Sequence, residues 1–254
     1  MRILVTGGAG YIGSIMVPFL LANGHSVTVL DNFMYRQTSL GGICAWPSFD
    51  IVRGDIRDEN LIAGLISKAD CVIPLAGLVG APLCKAEPHA ADQINYEAPI
   101  KLFNLLSEDQ MVLMPTTNSG YGVGEKDKFC TEETPMRPLS LYGQHKVAVE
   151  RELMKRKNAI SFRLATVFGM SPRPRLDLLV NDFVYRAVND KSVVLFESHF
   201  KRNFVHVRDV TEAFLMGIDN FDAWKGQVYN VGLSAANLSK WELCLKIKEH
   251  VPEF

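Results

Sequence analysis

Short apolar runs and longer amphipathic stretches alternate along the first two thirds of the chain. RILVT (2–6), SVTVLD (26–31), FDIVRG (49–54), CVIPLAG (71–77), MVLMPTT (111–117) and ISFRLATVF (160–168) are rich in Val, Ile, Leu or Phe and bounded by Gly, Asp or Pro. That is the pattern of buried strands. Between them, 11–23, 59–67, 88–107 and 140–157 carry apolar residues at helical spacing. Strand and helix in strict alternation predict an α/β fold, a doubly wound parallel sheet with helices on both faces. Asn23-Gly24 is a good C-cap for the first helix. Pro18 inside that helix predicts a local kink, and Pro99 poses the same problem in the fourth stretch.

After about residue 170 the pattern loosens. SPRPRLD (171–177) reads as a connector. A helix (178–190), a strand VVLFE (193–197), a strand–helix unit FVHVRDVTEAFLMGI (204–218), a strand QVYNVG (227–232) and a last helix (239–250) complete the chain. The expected organisation is a main unit over 1–170 and a smaller C-terminal lobe over 171–254, of which about 203–232 returns to the main sheet.

Composition narrows the classes of function. The chain has 254 residues, is 48% hydrophobic and carries a net charge of −1, enough apolar material for a sizeable core. Near-neutral charge argues against a nucleic-acid partner or a membrane-surface face. No apolar run approaches the ~20 residues of a spanning helix. MRILVTGG is too short in its apolar part for a secretory signal, so the expected location is cytoplasmic. Five scattered cysteines without CxxC spacing read as reduced thiols, and six histidines without an HxxxH or HExxH cluster give no support for a metal site.

TGGAGYIG (6–13) comes directly after the first strand and opens the first helix, with Gly7, Gly10 and Gly13 spaced G-x-x-G-x-x-G. The first glycine permits a tight turn, the second lets backbone approach a pyrophosphate, and the third lets helix and strand pack closely. Free N–H groups and the positive end of the helix dipole would then meet the phosphates. The second strand ends in Asp31, near the offset of a ribose-binding acid, and the next basic residue is Arg36. An acid there accepts from a ribose 2′-hydroxyl and repels a 2′-phosphate, which favours NAD over NADP.

YGQHK (142–146) opens another helical stretch and places Tyr142 and Lys146 at i and i+4, on one helix face. A tyrosine near pKa ~10 must fall by about 3 units to act as a base near neutrality. A neighbouring ammonium and a cationic nicotinamide ring would both help. Tyr142 would then accept a hydroxyl proton as hydride leaves the same carbon.

Together, TGGAGYIG, Asp31, GDIRD (54–58), LAGL (75–78), Asn95 in INYEA, TTNSGYG (116–122), TEETPMRPLSLYGQHK, RLATVFG, FVHVRDV and YNVG stand in an order that resembles the extended short-chain dehydrogenase/reductases, in their nucleotide-sugar epimerase/dehydratase branch. The resemblance spans essentially the whole chain. It implies NAD held by Gly7, Gly10, Tyr11, Ile12, Gly13, Asp31, Asn32, Asp55, Ile56, Leu75, Ala76, Gly77 and Asn95, with Tyr142 and Lys146 also at the cofactor. It implies Thr117 as hydroxyl partner to Tyr142 and Lys146. It implies a nucleoside-diphosphate sugar substrate, with Asn118, Ser119, Thr166, Asn181, Arg202 and Arg208 as contact candidates beside Thr117. It also implies a homodimer formed through the helices of 88–107 and 140–157.

In this family the residues after the catalytic Ser/Thr select the chemistry that succeeds oxidation. The 4,6-dehydratases resemble one another in placing Asp-Glu there, the decarboxylases keep the Glu, and the 3,5-epimerases put Cys at the second position. This chain has Asn118 and Ser119, neither of which titrates near neutral pH. Chemistry confined to C4 of the sugar is therefore expected, as a 4-epimerase or a 4-dehydrogenase. Epimerases of the family resemble one another in an Asn within R-L-x-N-V-Y-G, where this chain has Thr166. The stretch TTNSGYGVGEK with RLATVFGMSPRPRLDLLVNDF and HFKRNFVHVRDV is similar to bacterial enzymes that oxidise C4 of GDP-heptoses. Members of the family run some sixty residues further, so the lobe is expected to be incomplete here. A reductase of non-nucleotide carbonyl compounds and a non-catalytic NAD sensor are the alternatives.

Overall fold

The computed structural model describes residues 1–124 and 129–254. The Glu125-Lys126 end of the TTNSGYGVGEK stretch lies outside the described residues. Ten strands and ten α-helices are found among them. The strands are β1 (Arg2–Thr6), β2 (Ser26–Asp31), β3 (Phe49–Arg53), β4 (Cys71–Pro74), β5 (Met111–Thr117), β6 (Ala159–Leu164), β7 (Thr166–Phe168), β8 (Lys201–His206), β9 (Gln227–Val231) and β10 (Asn237–Ser239). The helices are α1 (Gly13–Ala22), α2 (Glu59–Ile66), α3 (Ala81–Ala86), α4 (Pro88–Asp92), α5 (Ala98–Leu105), α6 (Leu141–Leu153), α7 (Leu179–Asn189), α8 (Val207–Asp219), α9 (Phe221–Trp224) and α10 (Lys240–His250).

Seven strands form one parallel sheet in the order β3-β2-β1-β4-β5-β6-β9. Successive residues of each strand point to opposite faces. In β1, Ile3 and Val5 enter the core under α1 and α8, whereas Leu4 enters the core under α2, α5 and α6. In β5, Leu113 takes the first face and Val112 and Met114 take the second. Burial on both faces is why these strands read as unbroken apolar runs rather than as polar–apolar alternation. The order reverses at β1, whose neighbours are β2 and β4. The carboxyl ends of β1 and β4 therefore frame the crevice where such sheets bind ligands.

ISFRLATVF is not one strand. It splits at Ala165 into β6, in the main sheet, and β7, which pairs with β8 in a separate three-stranded sheet of order β10-β8-β7. That sheet packs with α7 and α10 around Phe183, Phe204, Leu243 and Ile247. VVLFE is not a strand either. Val193 and Leu195 turn toward this small core while Val194 and Phe196 are exposed. The alternation is that of extended chain, but among the described residues no neighbouring strand pairs with it.

The stretch 88–107 is not one regular helix. Gln93–Glu97 forms a π-helical turn between α4 and α5, immediately before Pro99. Proline lacks the N–H and crowds the carbonyl four residues back, and one wide turn removes that conflict. Across Pro18, by contrast, α1 is continuous.

A buried ion pair fixes α6 to the sheet. Glu150 receives Nη2 of Arg163 at 2.7 Å, with Thr116 and Ser161 hydroxyls donating to its other oxygen at 2.8 and 2.7 Å. Arg163 also donates to the Tyr121 hydroxyl and to the Glu132 carbonyl, both at 2.9 Å. Removing one partner strands the other as a buried charge. Glu150→Ala is expected to lower stability by about 3–5 kcal/mol, read as a fall in the denaturant midpoint at unchanged slope.

Candidate active site

The glycine loop is shaped by contacts that admit no side chain. Gly7 has φ +71°, and a Cβ on it would lie 2.6 Å from the Ala76 backbone. This contact joins the carboxyl ends of β1 and β4. A Cβ on Gly10 would meet the Gly7 carbonyl oxygen at 3.1 Å. A Cβ on Gly13 would lie 2.4 Å from the Gly8 carbonyl oxygen. Gly13 thus closes the loop on itself, whereas the sequence suggested helix–strand packing for it. That packing falls to Gly8, whose Cβ would strike Val29 of β2 at 2.7 Å. Gly8 lies outside the G-x-x-G-x-x-G spacing, so the motif gave no sign of it.

The residues fit a dinucleotide. Among the described residues the backbone N–H groups of Tyr11, Ile12 and Gly13 have no acceptor, and they stand where α1 begins. Free donors at the positive end of a helix suit a pyrophosphate. Asp31 closes the other side of the loop, accepting from the N–H of Ala9 at 3.0 Å and of Phe33 at 2.8 Å. Burial raises its pKa, and the two N–H bonds act against that. The Ala9 carbonyl is held in turn by Ser39 Oγ at 2.7 Å and Gln37 Nε2 at 3.2 Å.

Other residues expected at the cofactor are engaged with the protein itself. Asp55 is gripped by the Arg57 guanidinium at 2.9 Å, and this grip, assisted by Asn32, holds its carboxyl down at about 2. Asn32 Oδ1 accepts from the Met34 N–H. Ile56 packs beside the core under α2. Leu75 N–H donates to the Thr6 carbonyl at 2.9 Å, and Ala76 N–H reaches Thr6 Oγ1 at 3.4 Å. Buried Asn95, in the π-helical turn, grips Leu78 at both backbone atoms, each at 2.8 Å. It therefore fixes the Leu75–Gly77 loop from below. The Tyr11 hydroxyl donates to the Gly169 carbonyl at 2.7 Å rather than facing the glycine loop.

Thr117 ends β5 and caps the next turn, its Oγ1 accepting from the Ser119 N–H at 3.1 Å. That turn rests on the start of α6, where a Cβ on Gly143 would lie 3.5 Å from the Ser119 carbonyl oxygen. Ser140 caps α6 by accepting from the Gly143 N–H at 3.1 Å, which sets Tyr142 in the first turn. Lys146, one turn on, donates to the Pro115 carbonyl of β5 at 3.3 Å. Tyr142 packs beside Leu78 and Cys84. The fold thus gathers Thr117, Asn118, Ser119, Tyr142, Lys146 and the Leu75–Leu78 loop.

The electrostatics differ from expectation. Burial, with Cys84 nearby, pushes the Tyr142 hydroxyl up to about 12, and burial pushes Lys146 down to about 8. Desolvation disfavours the charged form of both groups. The protein's own surroundings therefore keep Tyr142 neutral near pH 7, and forming the phenolate requires added positive charge.

The C-terminal candidates separate. Thr166 is half-buried in β7 opposite Phe204. Asn181 spends its amide on the Gly169 N–H and the Arg175 carbonyl, both at 2.9 Å. Arg202 and Arg208 are exposed on β8 and in the first turn of α8. Among the described residues, no hydrogen bond joins either to Thr117, Tyr142 or Lys146. Among the described residues no cluster of His, Cys, Asp and Glu could hold a metal ion, and no helix is long and apolar enough to cross a membrane.

Comparison with known proteins places this arrangement. The model of the NAD dependent epimerase/dehydratase family matches residues 3–232. The low-salt glycan biosynthesis protein Agl12 of Haloferax volcanii is 30% identical, across 99% of this chain and 83% of its own length. The crystal structure of a UDP-glucose 4-epimerase with UDP-glucose, from Thermotoga maritima, superposes with a TM-score of 0.86 at 25% identity, over 100% of this chain and 83% of that one. The dTDP-glucose 4,6-dehydratase DesIV of Streptomyces venezuelae, solved with NAD bound, gives the same 0.86 at 25% identity, over 99% of this chain and 81% of that one.

Two substitutions test the cofactor cradle. Gly7→Ala is expected to cost about 1–3 kcal/mol of stability through backbone strain and to weaken NAD binding at least tenfold, read by calorimetry. Asp31→Asn is expected to narrow the preference for NAD over NADP by about tenfold, read as the ratio of the two dissociation constants.

Proposed function

We propose that this chain, which belongs to the NAD-dependent epimerase/dehydratase family, oxidises C4 of a nucleoside-diphosphate sugar and does no further chemistry beyond that carbon. The carrying observation is the turn after Thr117. It rests on the first turn of α6 beside Tyr142, and the two residues it adds there are Asn118 and Ser119. An amide and a hydroxyl can orient a sugar but cannot exchange protons with it near neutral pH.

In this reading Thr117 Oγ1 and the Tyr142 hydroxyl hold the C4 hydroxyl between them. Tyr142 takes its proton, and Lys146 stabilises the resulting phenolate from the next turn of α6. Bound NAD supplies the hydride acceptor at C4 and a cationic ring. The N–H groups at the start of α1 and Asp31 orient the dinucleotide, and Asn95 holds the Leu75–Gly77 loop beneath it. The small lobe formed around β7, β8, α7 and α10 offers the nucleotide side of the substrate site, with exposed Arg202 and Arg208 as its cations. The ketone formed is either reduced again from its other face or released, and the protein groups named serve both outcomes.

The test is incubation with NAD and a panel of UDP-, GDP-, CDP- and dTDP-sugars, heptoses included, with nicotinamide absorbance and NMR of the products. A C4 epimer or a 4-ketone is expected, and a 4-keto-6-deoxy sugar formed at enzymatic rates would sink the assignment. Tyr142→Phe is expected to lower kcat by about 10²–10⁴-fold with NAD affinity changed by less than an order of magnitude.

A further inference from the structure

The connector from β7 to α7 is tied to the cofactor side of the molecule at three points. The buried Tyr11 ring sends its hydroxyl to the Gly169 carbonyl at 2.7 Å. Ser14 Oγ, in the first turn of α1, meets Ser171 Oγ at 3.3 Å, and both residues are buried. Arg173 lies over the Tyr35 ring, 4.1 Å from its centroid. Gly169 is tied in turn to α7. Asn181 Oδ1 accepts from the Gly169 N–H at 2.9 Å, and Nδ2 donates to the Arg175 carbonyl at 2.9 Å while lying 3.4 Å from the Tyr11 hydroxyl. On α7 Asn181 stands between Val180 and Phe183, which are buried with Phe204, Leu243 and Ile247 in the core of the small lobe.

Tyr11 therefore has two working ends. Its backbone N–H is one of the three at the start of α1 that lack an acceptor among the described residues, and its side chain holds the root of the small lobe. Ser14 differs, because its N–H is already spent on the Gly10 carbonyl at 3.0 Å. The Tyr11 ring cannot swing independently of its backbone. It is buried and close-packed, and the next residue, Ile12, already has helical dihedrals. The receiving carbonyl is equally constrained. Gly169 has φ +115°, and the His206 ring stands where a Cβ would lie. A ligand that fixes the Tyr11 N–H thus fixes the ring, and the ring's hydroxyl meets a carbonyl with little freedom to follow any other course.

We propose that Tyr11 is a positioning residue that couples the cofactor to the substrate lobe. NAD held at its N–H fixes the ring, and the hydroxyl, through Gly169 and Asn181, fixes α7 and the lobe built on it. The proposal rests on the dinucleotide lying at the start of α1, and it adds an order to the proposed function: the cofactor arranges the lobe before the sugar arrives. The coupling is energetic. Loop and lobe are ordered together, so the entropy of ordering the lobe is lost when NAD binds rather than when the sugar does. Linkage makes the effect reciprocal, so a lobe already fixed holds NAD more tightly.

The test is amide hydrogen exchange on the full chain, read by mass spectrometry with and without saturating NAD. In the wild type, NAD is expected to slow exchange over residues 169–185 by at least about fivefold, as well as in the glycine loop. Tyr11→Phe keeps the backbone donors and removes the hydroxyl. At its own saturating NAD it is expected to keep the gain in the glycine loop and lose the gain over 169–185. Asn181→Ala is expected to keep the gain at 169–171 and lose it along α7. A hydroxyl that merely stabilises the fold would lower protection with and without NAD alike and leave the NAD-dependent gain intact. Equal gains in Tyr11→Phe and the wild type would overturn the proposal, and so would a wild type whose gain stops at the glycine loop. If Tyr11→Phe does not fold, an undiminished gain along α7 in Asn181→Ala overturns it equally. The reading of the cradle fails separately, if calorimetry finds no NAD binding to the wild type.

Discussion

The near-contact of Gly7 with Ala76 is the constraint on which the site depends. Two parallel strands that leave a sheet in opposite topological directions must release their chains at the same edge, and here those chains touch. A Cβ at residue 7 would lie within 2.6 Å of the Ala76 backbone, closer than real side chains come to backbone atoms. Without one, the loop folds back at the start of α1 and leaves three backbone donors, Tyr11, Ile12 and Gly13, without an acceptor among the described residues. The same contact brings Leu75–Leu78 against the glycine loop, and Asn95 grips Leu78. Moving the β1 loop outward would separate those N–H groups from the Leu75–Leu78 loop.

The second half of the site is a helix held by electrostatics at one end and by capping at the other. Tyr142, Lys146 and Glu150 succeed one another at four-residue spacing along one face of α6. Ser140 fixes the helix start. Glu150 fixes its register on the sheet through Arg163, Thr116 and Ser161. Arg163 reaches Tyr121, which donates to Asn230 of β9 at 2.7 Å. The turn bearing Thr117, the helix bearing Tyr142 and the edge strand of the sheet are thus joined by one buried polar network. Such networks are costly when half satisfied, so their geometry is narrow, and this one adjoins Thr117, Tyr142 and Lys146 on β5 and α6.

Much of this was legible in the sequence because its causes are local. A strand buried on both faces is an apolar run, and a glycine at positive φ leaves its mark at one position. Gly7 announces itself in that way, Asp31 by its offset from the glycine loop, and Tyr142 and Lys146 by their i, i+4 spacing, whereas Thr117 comes only from the family resemblance. What escaped reading depends on neighbours distant along the chain. Val193–Glu197 has the alternation of a strand, but pairing requires a partner, and the described residues hold none. Residues 160–168 carry one apolar run whose two halves serve different sheets, which composition does not reveal. Gly8 packs on Val29 of a different strand. Pro99 did signal trouble in its helix, and the π-helical turn that answers it also places Asn95.

Asn181 shows why a family likeness needs geometry beside it. An asparagine on the helix after the connector reads as a substrate contact, since an amide offers both a donor and an acceptor to a ligand. Here both are satisfied inside the protein, by Gly169 and Arg175. These two bonds fix the orientation of the amide, and Oδ1 keeps a second lone pair. Asn181 sets the path of the connector after β7. With burial holding Tyr142 near 12 and Lys146 near 8, the pair that looks sufficient in the sequence is under-supplied with positive charge in the fold.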